Sequence, residues 1–391
     1  MQRSIATVLL FVAIVTLVVG GMHWYLFARL VRVCELGSFW NRRAAWAFVA
    51  LAVATPVGMV LGRALDRPWA KVVSTVVFVW VGLSVILFFL LLAFEVVRGL
   101  VPILHVLAAD PLSPNRRIFL SRVITCTVSV LGLGIAGLGA ANALGEIAVR
   151  RVRVPLSRLP KALSGTRIVQ LTDLHIGPTL GKRWLEHVVE RVNALDADLV
   201  VITGDLVDGS VHELGEDVAP IGKLKAKAGI FFVTGNHEYY SGADAWIAEL
   251  TRLGIRVLRN ERVSVGAGAK SFDLAGVDDF SAHRFGGGHG ADLARALSGR
   301  DPSRVLVLLA HQPKQVFEAA NLGVDLQLSG HTHGGQIFPW GLFVRIDQPY
   351  VAGLALHGGT QIYVSRGTGF WGPPMRVAAP SEISVIELWP T

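Results

Sequence analysis

Five short islands between residues 173 and 333 carry side chains that bind metal ions: Asp173-Leu174-His175, Gly204-Asp205, Gly235-Asn236-His237-Glu238, Ala310-His311-Gln312 and Gly330-His331-Thr332-His333. Together they offer carboxylate oxygens, one amide oxygen and four or five imidazoles, enough for two adjacent ions. A two-metal site narrows the chemistry to in-line hydrolysis, most often of phosphate esters. Carboxylate and imidazole donors without sulfur suit manganese, iron or zinc rather than a thiolate-bound structural zinc. The two cysteines, Cys34 and Cys126, stand far from these islands and offer neither a disulfide framework nor a thiolate site.

Each island follows an apolar run of strand length: 167–171, 199–202, 230–233, 305–309 and 326–328. Helical patterns separate several of these runs, near 183–195, 213–225, 243–253 and 313–320, and that alternation predicts a layered α/β domain. In open α/β sheets, sites form where loops converge at the C-terminal ends of strands. The spacings Asp173-x-His175 and His331-x-His333 read as extended backbone, in which residues i and i+2 face one way. Gly204, Gly235 and Gly330 each precede a candidate donor, where a missing Cβ permits a sharp turn and close backbone approach. The stretches 261–277 and 360–388 read as antiparallel β structure, with Gly266–Gly268 as a hairpin turn.

In this order the islands resemble the calcineurin-like metallophosphoesterases, over roughly residues 165–388. The segment Gly334-Gly335-Gln336-Ile337 and the tail Ser365-Arg366-Gly367-Thr368-Gly369-Phe370-Trp371-Gly372-Pro373-Pro374 resemble the membrane-associated, YkuE-like branch. The resemblance implies a four-layer αββα sandwich. It also implies that Asp173, His175 and His333 bind one metal, Asn236, His311 and His331 the other, and that Asp205 bridges them. A metal-bridging hydroxide would then attack phosphorus, and His237 would stabilise or protonate the leaving group, with Glu238 orienting it. Asp208 reads as a solvated loop residue or as a support for a ligand. His187 and His212 fall in helical patterns and read as surface. Asp278-Asp279, with His283 and His289, reads as a loop or a pocket wall, and Arg366 as a fork for phosphate.

The elements around this domain are unusual for a soluble enzyme. The chain of 391 residues is 52% hydrophobic, with mean hydropathy +0.50, and most of the excess precedes residue 150. Four apolar stretches, near 5–28, 44–62, 72–96 and 123–144, reach the length of about 20 residues that a helix needs to cross a bilayer core. Membrane anchoring is the simplest role for them. The organisation expected is therefore a membrane domain at 1–148, a basic linker at 149–165 and a metallophosphoesterase domain at 166–391. The net charge of +8 comes in good part from arginines beside apolar segments, where head groups lie, and no aromatic-plus-basic motif points to nucleic acid.

Arg29, Arg32, Arg42 and Arg43 border the first loop, and Arg98, Arg116, Arg117 and Arg122 the third, against Arg3 at the N-terminus and Arg63, Arg67 and Lys71 at the second loop. That bias puts the catalytic domain outside the cytoplasm; Arg150, Arg151 and Arg153 argue for the cytoplasmic face. Asn115-Arg116-Arg117-Ile118-Phe119-Leu120-Ser121 resembles an internal twin-arginine export signal. The leading expectation is a membrane-anchored phosphoesterase, acting on a mono- or diester, with a lipid-linked phosphate or phospholipid suiting Phe338, Trp340, Phe370 and Trp371 near the site. A silent scaffold would show degenerate donors, and a membrane sensor would show ionisable residues inside the spans. Every donor position is filled, and the spans contain almost no ionisable residues.

Overall fold

The structure, a computed structural model, describes residues 5–66, 68–104, 113–268 and 270–391. Arg3 and Arg67, used above to weigh orientation, lie outside the described residues. The first four helices are α1 (Ile5–Leu30), α2 (Ser38–Ala64), α3 (Trp69–Leu104) and α4 (Pro114–Leu144). Each contains a stretch long and apolar enough to cross a membrane, and their outward faces carry apolar side chains such as Leu17, Val60, Val76 and Leu138. Leu26, Leu87, Leu91 and Val128 pack between them. Glu95 pairs with Arg29 at 3.4 Å. His23 is buried and accepts a hydrogen bond from Trp80 Nε1 at 2.9 Å, so an imidazole does lie within the first span.

A second compact unit comprises Asn142–Gly372 and Arg376–Thr391. It opens with β1 (Ala148–Leu156), β2 (Thr166–Leu171), α5 (Lys182–Asn193), β3 (Leu199–Thr203), α6 (Val211–Val218), β4 (Ile230–Val233), α7 (Asn236–Ser241), α8 (Ala243–Arg252) and β5 (Arg256–Val257). It continues through β6 (Glu261–Ala267), β7 (Lys270–Gly276), α9 (Leu293–Ala296), β8 (Leu306–Leu309), α10 (Val316–Asn321), β9 (Leu326–Ser329), α11 (Gly341–Val344), β10 (Gly353–His357), β11 (Thr360–Val364) and β12 (Glu382–Pro390). Two six-stranded sheets result, ordered β1-β12-β2-β3-β4-β5 and β10-β11-β9-β8-β7-β6.

The apolar runs explain the layering. Along β3, Leu199 and Val201 face the second sheet while Val200 and Ile202 face α5, α6 and α8. Along β8, Val307 and Leu309 join the layer between the sheets, and Leu306 and Leu308 pack against α9 and α10. A strand buried on both faces must be apolar at successive positions rather than at alternate ones. Helices therefore cover each outer face, giving the four-layer αββα sandwich.

Three expectations change. The segment 149–165 is not a linker throughout: β1 pairs in parallel with β12, from Ala148 opposite Glu382 to Leu156 opposite Pro390. Val152, Val154 and Leu156 alternate toward the interior, a period-2 signal masked by the exposed Arg150, Arg151 and Arg153. The stretch 360–388 is not one antiparallel unit, because β11 and β12 belong to different sheets, separated by a glycine- and proline-rich loop. The 261–277 hairpin forms, but it turns past Ala267, and Gly266 lies within its first strand.

Candidate metal centre

The strand ends converge as their positions in the sheets require. β2 leads to Asp173 and His175, β3 to Asp205, β4 to Asn236 and His237, β8 to His311, and β9 to His331 and His333. Hydrogen bonds between the loops tie them together: Asp173 N donates to Gly204 O at 3.1 Å and His175 N to Asp205 O at 3.1 Å. His331 N donates to the Asp173 carboxylate at 3.0 Å. Three groups of donors result among the described residues, Asp173 with His175 and His333, Asp205 with His311 and His331, and His175 with Asp208 and His237, the donor atoms of each lying within 4.8 Å of one another.

The backbone is not extended at these positions. Asp173, His175, Asp205, His331 and His333 have φ of +52°, +48°, +52°, +71° and +50°. A left-handed residue just beyond a strand end turns its side chain toward the cleft, at a strain of about 1–2 kcal/mol each for L-residues. Such strain persists where the surroundings fix it, and it gathers at functional sites. Glycine serves the other need, close approach. A Cβ on Gly235 would collide with Asp205 Oδ1 and lie 2.5 Å from its N, and one on Gly330 would collide with Thr172 Oγ1 and Asp173 Oδ2.

The imidazoles are held with their inner nitrogens turned toward the other donors. His311 Nδ1 donates to Thr203 O at 2.7 Å, leaving Nε2 to face Asp205 Oδ2 at 3.1 Å. His175 Nδ1 donates to Asp208 Oδ1 at 3.0 Å, leaving its Nε2 3.1 Å from His333 Nε2. An imidazole nitrogen this close to a carboxylate needs a proton or a metal cation between them, and Asp205 outweighs burial in holding His311 well above the usual imidazole range. Asp173 and Asp205 are both buried, and among the described residues neither forms an ion pair with a lysine or arginine. Asn236 Oδ1 is buried with no hydrogen-bond partner. Buried carboxylates and orphan carbonyls need compensation, and divalent cations supply it. The donor set fits such ions.

Asp208 is neither solvated nor idle. Its Oδ1 also accepts from His237 Nδ1 at 2.6 Å, so one carboxylate holds two histidines. Those two imidazoles outweigh burial and keep the Asp208 carboxyl well below the usual carboxylate range. His237 in turn is held up to about 9: burial pushes it down, but Asp205 and Asp208 push harder the other way. The Asp205-x-x-Asp208 spacing was the available signal, though nothing local distinguished it from an ordinary turn. An Asp208→Asn substitution keeps volume while withdrawing the charge. We expect metal affinity to drop about 10–100-fold, the range found when a group behind a metal ligand is lost, read by competition with a chelating dye.

Glu238 does not orient His237. Its Oε2 accepts from Asp205 N at 3.0 Å and Gly235 N at 2.6 Å, and its Oε1 from Leu206 N at 2.8 Å. Burial first, and then Asp205, push its carboxyl up to about 7, against these backbone donors. Arg366 donates to Glu382 Oε2 at 3.0 Å, so its partner is a carboxylate rather than an open phosphate site. Arg376 is fully buried and donates to the carbonyls of His333, Arg366 and Ala379, fixing the loop that carries His333. Asp278 pairs with Arg259 at 2.7 Å and Asp279 accepts from Gln312 at 3.0 Å, which makes them buried struts of the loop after β7. His187 and His212 are exposed on helices, as expected. Phe370 is buried, whereas Phe338, Trp340 and Trp371 are exposed.

The layered sheets and paired carboxylate–imidazole clusters are those of metal-dependent phosphoric ester hydrolases. The sequence model of the Calcineurin-like phosphoesterase family matches residues 166–335. An uncharacterized metallophosphoesterase of Campylobacter jejuni is 32% identical over 384 residues, covering 97% of this chain and 98% of that protein. A bovine transmembrane protein with metallophosphoesterase domain is 42% identical over 280 residues, covering 69% of this chain and 62% of the relative. The uncharacterized metallophosphoesterase YkuE of Bacillus subtilis is 32% identical over 241 residues, covering 59% and 82%. The chain belongs to the calcineurin-like metallophosphoesterase family, whose members use dimetal sites.

Proposed function

We propose that the chain is a membrane-anchored phosphoesterase with two divalent ions, of manganese, iron or zinc. Asp173, His175 and His333 would hold one ion, Asn236, His311 and His331 the other, with Asp205 shared between them. The observation that carries this reading is the gathering of carboxylate and imidazole donors from five strand ends, one of which also carries the buried, unpartnered Asn236 Oδ1. The ions, when bound, supply charge against the phosphoryl oxygens and an activated water.

The protein groups then divide the remaining work. Asp208, accepting from His237 Nδ1, fixes that ring and leaves Nε2 as the nitrogen that donates a proton to the departing oxygen as its bond to phosphorus breaks. Trp371 and Tyr240 stand edge-on to the His237 ring at 5.6 and 5.3 Å and bound the leaving-group side. No serine or cysteine nucleophile is needed. The substrate in this reading is a phosphate ester, with lipid-linked phosphates favoured by the chain's apolar helices.

Metal analysis of the purified full chain, paired with a panel of chromogenic mono- and diesters and lipid phosphates, tests the proposal. Two ions per chain with manganese-stimulated hydrolysis is the expected outcome. Two bound ions and inactivity across the panel would instead support a scaffold that kept the fold without the chemistry.

For orientation we propose that the four helices are spans and that the catalytic unit faces away from the cytoplasm. The motif at Arg116 and Arg117, both exposed at the start of α4, supports this reading. Replacing both with lysine is expected to trap the unit inside. Proteolysis from the outer side should then fall from complete to background, and unchanged accessibility would overturn the export reading.

A further inference from the structure

The segment after the last candidate ligand exposes more apolar surface than a water-facing loop does. Phe338 is 64% exposed, Trp340 52%, Leu342 61% and Ile346 84%, all within nine residues around the short helix α11. Contiguous exposed apolar patches of this kind mark interaction sites. Arg345, also exposed, stands among them. Tryptophan and phenylalanine beside aliphatic tips and an arginine is the composition of an element that rests at the head-group level of a bilayer. A water-facing rim would carry polar groups at these positions.

The segment is coupled to the centre. Gln336 Nε2 donates to Trp371 O at 2.8 Å, and Trp371 N donates to Gln336 Oε1 at 3.0 Å. This reciprocal pair ties the segment, which begins three residues beyond His333, to the loop whose Trp371 is 53% exposed and flanks His237. Gln336 thus joins the exposed segment to the Trp371 that packs on His237.

We propose that residues 338–346, with Trp371, form an interfacial edge that inserts into an anionic lipid surface, so that the centre meets phosphate esters presented at head-group depth. The chain's own bilayer-length helices argue for lipid as the occupant. The inference rests on the membrane-anchored reading above. It adds a specific contact between the catalytic unit and lipid.

Site-directed spin labelling of the full chain in bilayer discs containing anionic phospholipid tests it. Labels would be placed by Ile346→Cys, by Glu216→Cys as a water reference and by Leu17→Cys as a lipid reference, each with Cys126→Ser. The ratio of accessibility to oxygen over a water-soluble nickel chelate should be several-fold higher at 346 than at 216 and approach that at 17. A ratio at 346 equal to that at 216, with 17 in lipid, overturns the interfacial edge and leaves the anchor intact. Low accessibility to both reagents at 346 would mean a protein partner, and would overturn it too. A water-like ratio at 17 would remove the membrane reading and this inference together. None of these readouts depends on turnover.

Discussion

An Asp205→Asn variant is expected to lose at least about a thousandfold in kcat/KM while remaining folded, because a shared metal ligand contributes several kcal/mol of transition-state stabilisation. The carboxylate lies where two of the donor groups meet: Oδ1 accepts from His237 N at 2.9 Å, and Oδ2 stands 3.1 Å from His311 Nε2 and 3.8 Å from His175 Nε2. Asparagine preserves volume and one oxygen but removes the charge facing both clusters. If its amide nitrogen turned toward His311, a donor would occupy a place reserved for a cation. Metal content by mass spectrometry should fall below two ions per chain in step with activity. Normal turnover in this variant would refute the dinuclear assignment.

Glu238→Ala is expected to act on folding rather than on chemistry. Three backbone donors, Gly235 N, Asp205 N and Leu206 N, would be left buried without acceptors. An unsatisfied buried donor costs about 1–3 kcal/mol, so the three should together cost roughly 3–9 kcal/mol. That is a large share of the stability of an ordinary domain. Glu238→Gln should fall between parent and alanine, since it keeps one acceptor but presents an amide to at least one N–H. Denaturant unfolding gives the magnitude. Hydrogen exchange at residues 205, 206 and 235 separates this clamp from a purely catalytic role, which would leave those amides protected.

The two effects show why part of the centre could be read from sequence and part could not. The apolar runs of β2, β3, β4, β8 and β9 are continuous because both faces are buried, and that makes strand ends legible. Placing Asp173, Asp205, Asn236, His311 and His331 at those ends follows directly. The left-handed backbone at five candidate ligands was not legible, because nothing in an aspartate or histidine declares a positive φ. Only the folded context forces it. Glu238 was misread for a related reason: its partners lie across the turn after β3, more than thirty positions upstream in two of three cases. Asp208 reveals itself only when His175 and His237 arrive from separate strands. β1 was hidden by arginines that face solvent while Val152, Val154 and Leu156 face inward.

The position of β12 bears on how the protein is made. It lies between β1 and β2, parallel to one and antiparallel to the other, yet it is translated after every other strand of either sheet. A nascent chain that has released α4 and β1 therefore holds an open gap in its first sheet until β12 emerges. Helices α1 to α4 are made before the first sheet can close, and the fold of the second unit must wait for that last strand to dock. Premature termination just upstream of Glu382 would leave two facing strand edges unfilled, a product suited to aggregation or quality-control proteolysis rather than to partial activity.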